Sequence, residues 1–89
     1  MTSHSDTRET LSRLWLNVLD GSAKEQVEDH ERFFQCGGNS IGAIRLYMET
    51  EERLAVMIDS AEFLGTLAEG DFGDLVKLTN AAADAAASA

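Results

Sequence analysis

One serine hydroxyl, placed where a loop becomes a helix, is the strongest candidate for chemistry in this chain. Residues 33–39, Phe-Phe-Gln-Cys-Gly-Gly-Asn, lead into Ser40, and a helix-like run follows from Ile41 to Arg53. The paired aromatic residues predict a loop that is anchored to the core, and the paired glycines free its backbone. Because the positive end of a helix lies behind Ser40, its oxygen is well placed to carry a phosphate ester.

The same residues resemble the phosphopantetheine attachment site of carrier proteins. The likeness is closest to the peptidyl carrier (thiolation) domains of nonribosomal peptide synthesis, whose pattern is F-F-x-x-G-G-x-S followed by an aliphatic residue. It spans roughly residues 8–79, and residues 33–46 match at motif strength. The resemblance implies a non-catalytic carrier with 4'-phosphopantetheine attached to Ser40 and with Gly38 and Asn39 beside the attached group.

The resemblance also implies a set of partner enzymes. A phosphopantetheinyl transferase would modify Ser40, an adenylation or other loading enzyme would charge the arm, and condensation or tailoring enzymes would take the aminoacyl or acyl cargo from its thioester. In such carriers the second helix is the recognised face, which here offers Ile41, Ile44, Arg45, Met48 and Glu49. The alternative for Ile44 and Met48 is packing in the core.

Three positions near Ser40 depart from the usual pattern or from ordinary helix chemistry. Asn39 stands where the family often has aspartate or histidine, and Cys36 stands where it usually has leucine. We expect Cys36 to be a small buried hydrophobic residue. Gly42 costs about 1 kcal/mol relative to alanine so early in a helix, and closer access for a partner is the one role that the sequence suggests.

The residues around Ser40 also allow two other interpretations. Serine is a favoured N-cap, so Ser40 could merely cap a helix in an acidic interaction module that is never modified. Residues 38–42 also spell G-x-S-x-G, but a serine hydrolase needs a histidine after the serine, and His4 and His30 both precede it. No metal is expected, because His4, His30 and Cys36 do not approach a zinc spacing.

The choice between a peptidyl and an acyl carrier depends on few residues. Gly37 and Gly38 favour the peptidyl type over the Asp-Ser-Leu motif of acyl carriers, and Arg45 on the second helix leans the same way. An acyl carrier of polyketide or fatty-acid synthesis remains the alternative within the family.

Composition limits the partners of this 89-residue chain. Sixteen acidic residues against seven basic ones give a net charge of −9, which disfavours nucleic acid and anionic membranes and favours a monomer. A single cysteine excludes an internal disulfide, and no apolar run approaches the roughly 20 residues of a membrane span. With no signal-like N-terminus, a cytoplasmic protein is the default expectation. Met1 suggests a free-standing carrier, although an excised domain could look similar.

Hydrophobic periodicity predicts an all-α fold, a small four-helix carrier-protein bundle of three main helices and one short helix, with a long loop between helices 1 and 2. The first helix starts at Asp6 as its cap and ends near Gly21, after an apolar stripe of Leu11, Leu14, Trp15, Val18 and Leu19. The loop covers residues 22–39. The second helix runs from about Ser40 to Leu54, with Ala43, Leu46, Tyr47 and Leu54 inward.

The rest of the chain predicts two shorter helical segments and a tail. Residues 55–59 read as a buried connection, and a short third helix runs from Ser60 to about Leu67. Asp71 can cap the fourth helix, with Asp74 three residues later. The predicted organisation is a disordered N-terminus (1–5), a carrier domain (6–79) and an alanine-rich flexible tail (80–89).

Overall fold

The computed structural model describes residues 4–19 and 26–88 of the chain. Its four helices are α1 (His4–Leu19), α2 (Ser40–Leu54), α3 (Ser60–Glu69) and α4 (Phe72–Ser88). The described residues contain no β-strand. The predicted all-α bundle, with one short helix and a long connection before α2, is therefore confirmed.

The core is built around the apolar stripe of α1. Trp15 lies between two other buried rings, with its centroid 5.2 Å from that of Phe33 and 5.3 Å from that of Phe72, both edge-on. Edge-to-face contacts of this kind add to the free energy that burial of the rings supplies. The other buried apolar side chains come from all four helices and from the connections before and after α2: Leu11, Leu14, Val27, Ala43, Leu46, Leu54, Val56, Ile58, Phe63, Leu67, Leu75 and Val76.

The loop before α2 is held against the first turn of α4. The amide of Phe72 donates to the carbonyl of Glu31 at 2.8 Å, and the amide of Gly73 donates to the carbonyl of Asp29 at 3.0 Å. Arg8 of α1 pairs with Asp29 and also lies over the Phe72 ring. These contacts satisfy amides that the start of a helix leaves free, and they join α1, the loop and α4.

The ends of two helices differ from the prediction. Asp6 does not cap α1, because the helix already includes His4, and the predicted end at Gly21 lies outside the described residues. Residue 79 does not end a helix either, since α4 continues to Ser88. Its apolar stripe continues through Ala82 and Ala83, which pack against the core, and alanine has the highest helix propensity.

The predicted cap of α4 is confirmed. The amide of Asp74 donates to the Asp71 carboxylate at 2.9 Å, and the amide of Asp71 donates to the Asp74 carboxylate at 3.1 Å. This reciprocal pair satisfies two amides at once, as in a capping box.

The connection between α2 and α3 is held by hydrogen bonds from α2. The Tyr47 hydroxyl donates to the carbonyl of Ile58 at 2.9 Å, and the Glu51 carboxylate accepts from the amide of Ile58 at 3.1 Å. The predicted buried connection is right for Val56 and Ile58 and wrong for Ala55, Met57 and Asp59, which are exposed. Ala55 has a left-handed backbone (φ 52°) and forms the C-cap of α2.

None of the described helices is long and apolar enough to cross a membrane. The described part of the chain also has no group of three or more histidine, cysteine, aspartate or glutamate side chains that could hold a metal ion.

The surroundings of Tyr47 predict a dependence of stability on alkaline pH. Burial raises the pKa of the Tyr47 hydroxyl above 10.0, and the neighbouring Glu51 carboxylate raises this pKa further. A phenol whose pKa is raised by folding stabilises the native state fully below the unfolded pKa of about 10, and the contribution is lost as pH rises through the folded pKa. We expect Tyr47→Phe to lack this part of the alkaline loss.

The measurement is the free energy of unfolding in urea from about pH 9 to about pH 12. Since the chain has one tyrosine, its phenolate absorbance reports the pKa of Tyr47 directly. Equal slopes of stability against pH in the wild-type protein and Tyr47→Phe, or a titration at the ordinary pKa, would contradict the prediction.

Candidate functional site

Phe33 anchors the loop that precedes the candidate serine. Its side chain is fully buried against Trp15, and its carbonyl accepts from the amides of Cys36 at 3.2 Å and Gly38 at 3.0 Å. The loop therefore turns tightly around one buried residue. Phe34 is exposed and rests edge-on against the Phe33 ring, so one phenylalanine of the pair, and not both, anchors the loop to the core.

Glycine is required at positions 37 and 38 of the turn for different structural reasons. Gly37 has φ 101°, in the left-handed region that side chains rarely adopt. Gly38 packs directly on the anchor, because a Cβ atom there would lie 2.3 Å from Cε2 of Phe33. Any larger residue at position 38 would push the backbone away from the Phe33 ring and move the start of α2.

Asn39 caps α2. Its backbone is extended (φ −132°, ψ 178°), and its Oδ1 accepts from the amide of Gly42 at 2.8 Å. Its carbonyl accepts from the amide of Ala43 at 2.9 Å. The alternative in which Ser40 caps the helix is therefore wrong, because Asn39 already occupies the cap position and Ser40 is the first helical residue.

Ser40 is exposed, and none of the described residues forms a hydrogen bond with its hydroxyl. The amides of Ser40 and Ile41 likewise have no acceptor within the described ranges, and the first turn of α2 contains no acidic residue. Free amides at the positive end of a helix stabilise an anion. The site thus fits a phosphate ester on the Ser40 oxygen: the nucleophile is accessible, and donors surround the place where negative charge would be added.

Two other serines show what is particular to this site. Ser60 is also exposed and is the first residue of α3, but the carboxylate of Asp59 caps that helix and Glu62 lies in its first turn. An added phosphate would meet two like charges there. Ser12 is buried, and its hydroxyl accepts from the amide of Val27 at 2.8 Å. Ser40 shares its exposure with Ser60 but has no acidic residue in the first turn of its helix, and unlike Ser12 it is accessible and accepts no hydrogen bond.

Gly42 allows α2 to approach α1. A Cβ atom at this position would lie 2.9 Å from Cγ1 of Val18 and 3.3 Å from the capping oxygen of Asn39. The sequence suggests that Gly42 gives a partner closer access. The structure gives a different role, close packing between helices beside the cap.

The outer face of α2 carries a row of exposed apolar side chains. Ile41 is 79% exposed, Ile44 50% and Met48 61%, so the alternative of core packing for Ile44 and Met48 is wrong. Nε of Arg45 lies 4.0 Å from a carboxylate oxygen of Glu49 on the same face. On the opposite face Ala43, Leu46 and Leu54 are buried as predicted. The five predicted partner contacts therefore share one side of the helix.

Two exposed side chains lie outside what the sequence predicts. Cys36 is exposed, with Sγ 3.5 Å from the Glu31 carboxylate, because only Phe33 of the turn at residues 33–37 is directed into the core. Met57 is a large apolar residue exposed between the buried Val56 and Ile58. The alternation of inward and outward residues in an extended connection could have indicated it.

One comparison with known proteins gives a match. A family model described as a phosphopantetheine attachment site matches residues 9–69. The match includes the whole loop around Phe33, the cap, Ser40 and the exposed row of α2, and it ends before α4. No curated protein and no solved structure matches the chain.

The close approach at Gly42 predicts an unusual response to alanine. Although alanine is about 1 kcal/mol better than glycine within a helix, overpacking costs about 1–3 kcal/mol. We expect Gly42→Ala to lower the free energy of unfolding by about 1 kcal/mol, the difference between these two effects. Urea unfolding measures this change.

Val18→Ala supplies the control, because it removes the atom that the new Cβ would meet. In a double-mutant cycle Gly42→Ala should cost less, or become stabilising, when Val18 is alanine. If the two changes were simply additive, Val18 would not be the constraint on position 42.

Proposed function

We propose that Ser40 is the attachment residue of a carrier protein, since this chain belongs to the phosphopantetheine attachment site family. The family's model matches residues 9–69, more than half of the chain. Members carry 4'-phosphopantetheine covalently on a serine, so the protein is a phosphopantetheine-carrying carrier. Such domains are generally non-catalytic and interact with a phosphopantetheinyl transferase and with synthase enzymes.

The observation that carries the proposal is the free, exposed hydroxyl of Ser40 at the start of α2. A transferase can reach this oxygen without breaking a hydrogen bond to the described residues. No described residue forms a hydrogen bond with the oxygen, so we assign this chain no base for the hydroxyl proton. The contribution of this chain is to hold the nucleophile still, through the Phe33 anchor and the Asn39 cap.

After modification, the same helix end stabilises the negative charge of the phosphodiester. The amides of Ser40 and Ile41 point into the space before the helix, and the dipole of α2 adds to their effect. Asn39 uses Oδ1 in its cap, which leaves its Nδ2 group to donate to a phosphate oxygen. Gly38 contributes through its backbone, which holds this loop against Phe33.

When bound, the group supplies a thiol on a flexible arm, and that thiol holds an acyl or aminoacyl cargo as a thioester. Tethering raises the effective concentration of cargo at a partner's active site. We assign the peptidyl type, in a nonribosomal peptide or related natural-product pathway, because Gly37 and Gly38 form the turn that this class uses. The partners would then be a loading enzyme such as an adenylation enzyme, followed by condensation or tailoring enzymes.

The exposed row of Ile41, Ile44 and Met48 is the proposed recognition face, with Arg45 and Glu49 beside it. Scattered exposed apolar residues are ordinary, but a contiguous row next to a reactive group is typical of an interaction site. Methionine suits a surface that meets several partners in turn. Carboxylates around this row would steer it toward basic partner surfaces.

Attachment at Ser40 is tested by intact mass. We expect the protein, incubated with coenzyme A, magnesium and a broad-specificity phosphopantetheinyl transferase, to gain the mass of one phosphopantetheine. Ser40→Ala should gain nothing, because the accepting oxygen is gone. Circular dichroism should show an unchanged fold, since Asn39 and not Ser40 caps α2.

Ser60→Ala is the matched control, because Ser60 is also an exposed first residue of a helix. It should be modified like the wild-type protein. A folded wild-type protein that gains no mass would support the unmodified interaction module instead, and modification that persists in Ser40→Ala would place the site elsewhere.

The cargo separates the peptidyl type from the acyl type. We expect the modified protein to be charged by an adenylation enzyme with its amino acid and ATP, and not by a malonyl transferase with malonyl-coenzyme A. Mass spectrometry of the thioester, with the unmodified protein as control, measures both reactions. Exclusive malonyl loading would assign the chain to polyketide or fatty-acid synthesis.

A further inference from the structure

We infer that Met57, in the connection between α2 and α3, is a further partner contact that extends the recognition face beyond the end of α2. The inference rests on the proposed function, because it concerns the surface that the transferase uses to reach Ser40. The occupant is the transferase itself, through an apolar pocket rimmed by basic residues. Neither the motif around Ser40 nor the periodicity of α2 indicates this residue.

Met57 has no role in the core. Its side chain is 89% exposed, more than any other large apolar side chain in the described residues. Its neighbours Val56 and Ile58 are both buried. Exposing a large apolar side chain between two buried residues makes no contribution to folding, and a position that meets only water would be served equally well by a polar residue.

The connection nevertheless holds Met57 in a defined place. Ile58 is bonded on both sides, by the Tyr47 hydroxyl at its carbonyl and by the Glu51 carboxylate at its amide. The amide of Val56 donates to the carbonyl of Glu51 at 3.3 Å. With both neighbours fixed to α2, the methionine is displayed from a constrained backbone, which lowers the entropy that a partner must overcome on binding.

The bonds of Glu51 place Met57 next to the exposed row. Positions 41, 44, 48 and 51 follow one another by three- and four-residue steps, so Glu51 is the next member after Met48 on that side of α2. Its carboxylate lies 3.1 Å from the amide of Ile58, the residue after Met57. Met57 therefore stands at the far end of the row that begins beside Ser40.

The size of the extended surface fits one partner. Ile41 and Glu51 lie ten residue steps apart along the helix, which is about 15 Å at 1.5 Å per residue. A standard interface covers about 800 Å² on each partner, a patch roughly 30 Å across. An enzyme whose active site is placed at Ser40 can therefore contact Met57 within a single footprint.

The charges around Met57 indicate the chemistry of the partner's rim. Between residues 46 and 76 the sequence has one basic residue, Arg53, and eight acidic ones: Glu49, Glu51, Glu52, Asp59, Glu62, Glu69, Asp71 and Asp74. Glu52 and Asp59, on either side of Met57 in the sequence, are both exposed. An exposed apolar side chain flanked in sequence by exposed carboxylates matches an apolar pocket rimmed by lysine or arginine.

Methionine-methyl NMR tests the inference directly, because the chain has only three methionines. The protein is labelled with ¹³C at its methionine methyl groups, and Met48→Leu and Met57→Leu assign the two signals of interest. A catalytically inactive variant of the broad-specificity transferase is then added. We expect the Met48 and Met57 signals to shift or broaden at the same transferase concentrations.

Kinetics supply a second measurement. Met57→Ala should lower kcat/KM for modification of Ser40 about fivefold through a higher KM, as is typical when an apolar anchor is truncated. Met57→Leu should retain most of the activity, because it keeps the apolar volume. Lys77→Ala, a change at an exposed residue of α4, should have no effect.

The outcomes separate this inference from the proposed function. If Ser40 is modified and the Met48 signal responds while the Met57 signal and the kinetics of Met57→Ala do not change, the inference is wrong and the proposed function stands. If the wild-type protein is not modified and neither signal responds, the proposed function fails and the inference fails with it.

Discussion

Burial of Phe33 against Trp15 determines where the candidate attachment site lies. The Phe33 ring is fully buried and meets Trp15 edge-on, and its carbonyl closes the turn by accepting the amide of Gly38. Gly38 in turn lies against that ring, so the backbone enters α2 at a position set by the core. Gly42 then lets the first turn of α2 approach Val18 of α1. Ser40, a surface residue at the start of α2, is therefore positioned by contacts inside the protein.

At the start of α2, Asn39 caps the helix and the adjacent Ser40 presents an exposed hydroxyl. Asn39 satisfies the free amide of Gly42 and so completes the helix start, which leaves the Ser40 hydroxyl without a structural duty. The absence of acidic side chains in this turn keeps the helix end favourable for an anion, although the chain as a whole carries a charge of −9. At Ser60 the same local geometry is combined with Asp59 and Glu62, and the electrostatics are reversed. Local charge, more than exposure or helix position, distinguishes the two serines.

The exposed apolar row on α2 and the negative charge of the molecule would affect partner binding in different ways. The exposed row on α2 offers apolar contact area next to Ser40, while the carboxylates that follow it along the chain bias encounters toward basic surfaces. If this row is the proposed recognition face, the adaptable side chain of Met48 would suit contacts with several different pockets. The bonds of Tyr47 and Glu51 to Ile58 hold the α2–α3 connection against α2.

The sequence by itself determined the four helices, the core stripe of α1, the reciprocal cap of α4 and the attachment motif around Ser40, since apolar periodicity and loop chemistry are local properties. It does not indicate whether Asn39 or Ser40 caps α2, because both residue types are favoured N-caps. The extended backbone at residue 39 shows that Asn39 is the cap. The sequence also favoured a buried Cys36, gave no indication that Met57 is exposed, and suggested partner access as the role of Gly42. Those three outcomes were decided by the tertiary structure: which side chain a turn directs inward, and which residue of a distant helix it meets, depend on contacts between segments far apart in the chain. The contact of Gly42 with Val18 is one example, and no local pattern records it.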